Sequence, residues 1–353
     1  MTLLIEEPAG GVLGIGTFAV YIISSMVIIQ AWLYMTMYVN RYCRWRWYEY
    51  VLIAANMFAA ILMSNTISLE WISASVAFIL SMIVMIGCIG ALYAIQLCNE
   101  TENEKSARGT LLAVMIILVI YAMAMLVSIA GHQERSLQII ISAILLGALL
   151  PFVKPGGSPM VNSMPHLMER MELLTIITFG EGIVEIARFF DVHNFSLLPI
   201  LTFLLLIFMF GSYLIQIHYL CDHHQLNKTV RIIWSHYLII LSVNLVTVCL
   251  IYLSGDSMDR HFTMVLMMAS IVVFYIGLHA TSFYYHSDFT SHWWDVLISM
   301  AIITAGIAFM YLVPGDEHVL LTGTLNATGG NFWWFWHKYY SQRGTRLEKL
   351  IGQ

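Results

Sequence analysis

Charge is scarce in this sequence. Only 10% of its 353 residues are Asp, Glu, Lys or Arg, where about 25% is usual in soluble domains. So little charge cannot cover the surface of a soluble protein of this size, which excludes a soluble enzyme. The net charge of −5 excludes a nucleic-acid binder. Cysteine is sparse too. Cys43, Cys88, Cys98, Cys221 and Cys249 are odd in number, form no CxxC pair and are scattered over apolar segments. That excludes a secreted disulfide scaffold and reads as small packing residues. A basic leader is missing, since residues 1–11 carry two acids and no base, the reverse of a signal-peptide start. There is no P-loop, GxSxG or HExxH motif, and no paired-histidine haem pattern. Nothing therefore calls for a metal or cofactor.

What fills the chain is apolar. Hydrophobic residues make up 59%, against about 45–50% in soluble domains. They lie in unbroken runs longer than the roughly 18 residues that mark a membrane span. An outer-membrane barrel would instead alternate over about 10 residues. The fold class is all-α, a polytopic transmembrane helix bundle. Spans are expected at 13–39, 47–64, 71–97, 110–129, 137–153, 165–189, 197–219, 232–253, 262–285 and 293–313. The stretch 318–336 is rich in Gly, Thr and Asn but ends in Phe332, Trp333, Trp334, Phe335 and Trp336, which suits a membrane interface. Counting it gives 10–11 spans.

Basic residues set the orientation. With the N-terminus outside, the inner loops hold Arg41, Arg44, Arg46, Lys105, Arg108, Lys154, Lys228 and Arg231, eight in all, against Arg135, Arg188 and Arg260 outside. The tail, with Lys338, Arg343, Arg346 and Lys349, lies inside if 318–336 crosses, which favours an eleventh span. The expected setting is a membrane with a cytoplasmic face on that side, with lipid as its main partner.

The Pro- and Gly-rich stretch 154–164 divides the chain into an N-terminal half, 1–153, and a C-terminal half, 165–340, followed by a basic tail, 341–353. The halves echo each other. Trp47, Tyr48, Glu49 and Tyr50 align with Trp234, Ser235, His236 and Tyr237, Asn56 lies opposite Asn244, and Ile86-Gly87 matches Ile276-Gly277. The offset pairs span one with span seven, a parallel repeat. Span six then lacks a partner, so the chain reads as a twelve-helix plan without its first helix.

Span six is the polar one. At about 100° per residue, His166, Arg170, Glu181, Glu185 and Arg188 share an arc of roughly 100°. Glu169 and Glu172 point elsewhere, near the cytoplasmic end. From His166 to Arg188 the rise is about 33 Å, which places Glu181 near mid-membrane. A carboxylate there costs about 2.5–3.5 kcal/mol on insertion scales, so the stripe is expected to face the bundle interior or a wet cavity. His236 and Asn244 on span eight are its expected partners. A carboxyl so placed can carry a proton or bind a cation; the competing expectation is a buried polar network that only holds the halves together. The run from His218 to His224 could hold a metal, but it straddles the inner interface, where His and Asp are at home. His279 reads as a packing histidine, Glu49 as a carboxylate snorkelling to Arg44 and Arg46, and Asp295 as a favourable charge at a helix start.

The segment from His166 to Val184 resembles the hallmark of the bacterial low temperature requirement A family: His-x-x-Glu-Arg, an apolar stretch, then Gly-Glu. His166, Glu169, Arg170, Gly180 and Glu181 occupy those places. Tyr38, Asn40 and Arg41 resemble the end of an early family helix. Asp222 and His236 stand where the family often has Asp and His. Two departures stand out: the family's first helix with its Glu-Leu-Phe-Phe-Asp-Leu-like motif is missing, and Gly182 replaces the usual Ser after Gly-Glu. The resemblance implies an integral membrane protein tied to growth in the cold, with no substrate or reaction attached. From the residues, the first expectation is a secondary transporter or a proton- or ion-conducting protein, with its pathway at His166, Glu169, Arg170, Glu181, Glu185, Arg188, His236 and Asn244. The alternatives are a membrane-embedded enzyme acting on lipid or quinone, and a helper protein without transport. An enzyme is the less favoured, because long soluble loops are missing.

Overall fold

In the computed structural model, the described residues are 13–66, 75–99, 104–149, 164–187, 197–225, 230–255, 259–313 and 317–351. Among them the chain forms eleven α-helices and no strand. These are α1 (Ile15–Arg41), α2 (Trp47–Thr66), α3 (Ser75–Asn99), α4 (Glu104–Ile129), α5 (Gln133–Leu149), α6 (Met164–Ala187), α7 (Leu198–Leu214), α8 (Val230–Gly255), α9 (Arg260–Ala280), α10 (Trp293–Leu312) and α11 (Glu317–Ile351). A π-helical turn, Ile215–Leu220, extends α7, and a 3₁₀ turn, Thr281–Tyr284, extends α9. Eight helices, α1–α4 and α7–α10, are long and apolar enough to cross a membrane. The protein is an all-α membrane helix bundle. The three other expected spans are also helical where described, although the last four residues of 137–153, the last two of 165–189 and most of the stretch 154–164 lie outside the described residues.

The helices divide into two compact units, Gly14–Leu167 and the chain from Met168 onward. In the first, α2 packs on α3, α3 on α4 and α4 on α5, while α1 closes against α3 and α5. Its core is aromatic at one end: Tyr93 meets Tyr38 edge-on at 5.3 Å and Tyr42 at 5.7 Å. Edge-to-face contact suits the ring quadrupoles. Glu49 does not snorkel. It is 1% exposed and accepts the backbone N–H groups of Arg44 at 3.1 Å and Arg46 at 2.7 Å, and the Tyr38 hydroxyl at 2.9 Å. Those amides, just before α2, offer it hydrogen bonding without a trip to water.

In the second unit, α8 packs on α9, α9 on α10 and α10 on α11, while α7 closes against α11. A contact between the hydroxyls of Ser212 and Tyr275, 3.3 Å, links α7 to α9. This is the order of neighbours of the first unit, six helices on. Helix α6 has no counterpart in it. Small residues let α10 and α11 approach. A Cβ on Gly306 would stand 2.6 Å from the Gly323 carbonyl oxygen, and one on Gly330 would stand 2.7 Å from Ile302. Asn331 and Ser299 hydrogen-bond across the same seam at 2.5 Å. These pairs, with Asp295 beside Lys338, run in opposite senses along the two helices. The Gly-, Thr- and Asn-rich stretch 318–336 is therefore an antiparallel partner lying along α10. Its low hydropathy has a reason: its small and polar residues, Thr324, Ala327, Thr328 and Asn331, are all fully buried.

Candidate functional site

Helix α6 turns a smooth face into its unit. Met168, Met171, Thr175, Thr178, Phe179 and Ile186 are buried. The Phe179 ring meets Phe210 at 5.2 Å and Phe274 at 6.3 Å. Gly182 permits contact with α8, because a Cβ there would lie 2.8 Å from Thr247 Oγ1. The polar stripe lies on the other side. His166, Glu169 and Glu181 are exposed, and Arg170 and Glu185 are half-buried, while Arg188 lies outside the described residues. Glu181 was expected in the interior beside His236 and Asn244; it reaches neither. The physical reason is a choice of faces. One side of α6 offers Phe179 and a glycine for close packing against α7, α8 and α9, and burying that side turns Glu181 away from them.

The carboxylate that does turn inward is Glu172, which the helical arc leaves off the stripe. It is half-buried. Its Oε1 has no hydrogen-bond partner and lies 3.9 Å from His218 Nδ1 and 3.7 Å from His223 Nε2. The π turn carries His218 and leads directly to His223. Such turns shift the helix register by a residue and re-aim side chains. His223 Nε2 is held by the Ile217 carbonyl at 2.9 Å, and the two imidazoles meet edge-on at 6.3 Å. Among the described residues, no three His, Cys, Asp or Glu side chains converge as a metal site.

Further in, Tyr213 stands beside Thr175 and within the field of Glu172. Its hydroxyl lies 3.3 Å from His236 Nε2. His236 is fully buried, and its Nδ1 is 2.8 Å from the Ile232 carbonyl. A carbonyl only accepts, so Nδ1 carries the proton and the neutral ring presents Nε2 as an acceptor to Tyr213. Asn244, two turns along α8, is half-buried. Glu172, Thr175, Tyr213 and His236 thus form a graded polar series from a half-exposed carboxylate to a fully buried imidazole. Of the expected pathway residues, only His236 belongs to it.

A second polar group was not legible in the sequence. Lys338 on α11 is 5% exposed and Asp295 on α10 is 8% exposed, and they form an ion pair of 2.6 Å. Asp295 also accepts the His292 backbone N–H at 2.8 Å and closes a capping box at the start of α10. Lys338 lies over the Tyr285 ring at 5.3 Å. Gln216, fully buried, donates to the Leu278 carbonyl at 3.1 Å, and His279, the next residue, stands 5.4 Å from the Phe335 ring. Asp295 had the reading of a helix-start charge, which is true and incomplete. Its partner lies 43 residues away, a separation no local periodicity reports. Nearby, Cys221 donates to the Thr281 carbonyl, and burial pushes its thiol up to about 12.

The chain matches the family model described as bacterial low temperature requirement A protein (LtrA) over residues 3–327. No curated protein matches it, and no solved structure does. The family match runs from before α1 into α11, and with it the chain belongs to the bacterial low temperature requirement A family.

Proposed function

We propose that the protein is a secondary transporter or a proton- or ion-conducting protein of the bacterial cytoplasmic membrane, with its polar pathway where α6 meets α7 and α8. The observation that carries this reading is Glu172. A carboxylate with an unpartnered oxygen stands against two histidines and at the head of the series Thr175, Tyr213, His236. Histidine and carboxylate exchange protons near neutral pH, and a tyrosine hydroxyl passes a proton by accepting one and donating another. Buried polar groups in membrane helices are costly, and where they occur they commonly mark an ion or proton path. His166, Glu169, Arg170, Glu181 and Glu185 lie off this series on the same helix, and Asn244 lies further along α8. The two units, alike in the order of their helices, also fit a parallel repeat, a common plan among transporters.

The test is flux in proteoliposomes containing the full chain. Glu172→Gln keeps shape and hydrogen-bonding capacity but removes titration. It is expected to insert and fold normally, and to lower proton-coupled flux by at least about tenfold, the consequence of raising a transfer barrier by roughly 1.4 kcal/mol. Unchanged flux in a folded Glu172→Gln protein overturns the pathway.

A further inference from the structure

The group on α7, α9, α10 and α11 carries unmet hydrogen-bonding capacity. Both ring nitrogens of His279 lack a partner, as does Gln216 Oε1. Both side chains are buried, His279 at 8% exposure and Gln216 at 0%. Lys338 Nζ has a single hydrogen bond, to Asp295, although an ammonium offers three donors. Buried polar atoms are almost always satisfied, by protein or by a bound molecule. His279 is within the field of both Lys338 and Asp295, and Gln216 is anchored at the residue before it. The unmet atoms therefore belong to one neighbourhood, walled by Phe335 and Tyr285.

We propose that Gln216, His279 and Lys338 form a binding site for a small monocarboxylate, which enters together with a proton. The chemistry follows from what is unmet. Lys338 and one nitrogen of His279 offer donors, which a carboxylate takes. Gln216 Oε1 needs a donor, which a halide cannot supply and a carboxyl proton or an α-hydroxyl can. Charge decides the coupling. Asp295 and Lys338 already cancel, so an added anion leaves the buried site negative unless a proton accompanies it. The proton comes from solution through His279, which shares it with the bound acid, so its uptake requires His279. The charges acting on His279 come from Lys338 on α11 and Asp295 on α10; Tyr285 and Cys221 are the other titratable groups of this neighbourhood. The proposal deepens the transport reading by naming a substrate class, and rests on it for the claim that the bound molecule is cargo.

Acetate is the probe, titrated into the purified full chain by calorimetry near pH 6, in two buffers of different ionisation heat. The expected result is saturable binding with uptake of about one proton per acetate. In His279→Gln, affinity should fall by about tenfold or more, with proton uptake lost. Gln216→Leu, which leaves the ion pair and the imidazole in place, should weaken binding but keep the proton uptake. No acetate binding by the unaltered chain overturns the proposal. So does unchanged proton uptake in a folded His279→Gln protein, or density for water alone between His279, Gln216 and Lys338 in acetate-soaked protein. Acetate bound with its proton but never moved into proteoliposomes leaves the site standing and overturns transport. Proton flux that depends on Glu172 without any acetate binding does the reverse.

Discussion

At the scale of single residues, environment separates groups that the sequence makes look alike. Glu49, Glu172, Glu181 and Asp295 are four acids on membrane-length helices, and each has a different fate. Glu49 is buried against backbone amides, Glu172 faces histidines, Glu181 is exposed, and Asp295 is neutralised by Lys338. A helical projection sorts side chains by angle and cannot weigh which face packs better, which is why it singled out Glu181 and passed over Glu172. The Asp295–Lys338 pair gives a sharp expectation. Asp295→Ala leaves a buried ammonium without its partner and should lower stability by about 3–5 kcal/mol. The double variant Asp295→Leu with Lys338→Leu removes both charges and should recover most of that loss. Thermal unfolding in detergent reads the difference, and equal losses in the two variants would show that the pair is not what holds this end together.

At the scale of elements, hydropathy made ten helices legible to within about six residues at their ends, because a run of Leu, Ile, Met and Phe needs no partner to explain its place in lipid. The eleventh was harder to read, since its membrane-facing credentials are hidden inside the protein. Gly323, Ala327 and Gly330 serve close contact with α10, Gly329 with Phe208 on α7, and the Thr328 carbonyl accepts the Tyr275 hydroxyl of α9. Helix association in membranes depends on such small residues. Gly306→Leu is therefore expected to destabilise the unit by about 1–3 kcal/mol through overpacking, since its Cβ meets the backbone oxygen of Gly323. Gly87→Ala is the control. Nothing lies within 4 Å of the added Cβ, and it should be neutral or stabilising by up to about 1 kcal/mol through helix propensity. Melting temperatures of the two proteins should move apart.

At the scale of the whole molecule, the sequence made a two-part plan visible through Trp47 and Trp234, Glu49 and His236, and Gly87 and Gly277. In space Glu49 and His236 keep a common habit. A tyrosine from the helix before each one points its hydroxyl at the buried group, Tyr38 at Glu49 and Tyr213 at His236. The tyrosines themselves are not in register, because 23 residues separate Tyr213 from His236 and 11 separate Tyr38 from Glu49. By the eight-to-three split of basic residues, the end of α3 is expected on the cytoplasmic side. A chain keeping only Cys98, exposed at the end of α3, should accept a membrane-impermeant maleimide from the cytoplasmic side alone. A chain keeping only Cys221 should resist it on both sides: the thiol is buried, and at pH 8 a pKa of about 12 leaves a thiolate fraction on the order of 10⁻⁴. Labelling of Cys98 from outside would invert the orientation.

The seam between α10 and α11 also bears on how the protein is made. A helix whose inward side is Thr324, Ala327, Thr328 and Asn331 has little reason to leave an insertion channel for lipid by itself. It gains a favourable home only when α10 is already waiting with Gly306 and Ser299. The last two helices should therefore partition as a hairpin, and the ion pair at its open end, Asp295 with Lys338, would close only after every preceding helix of the unit is in place.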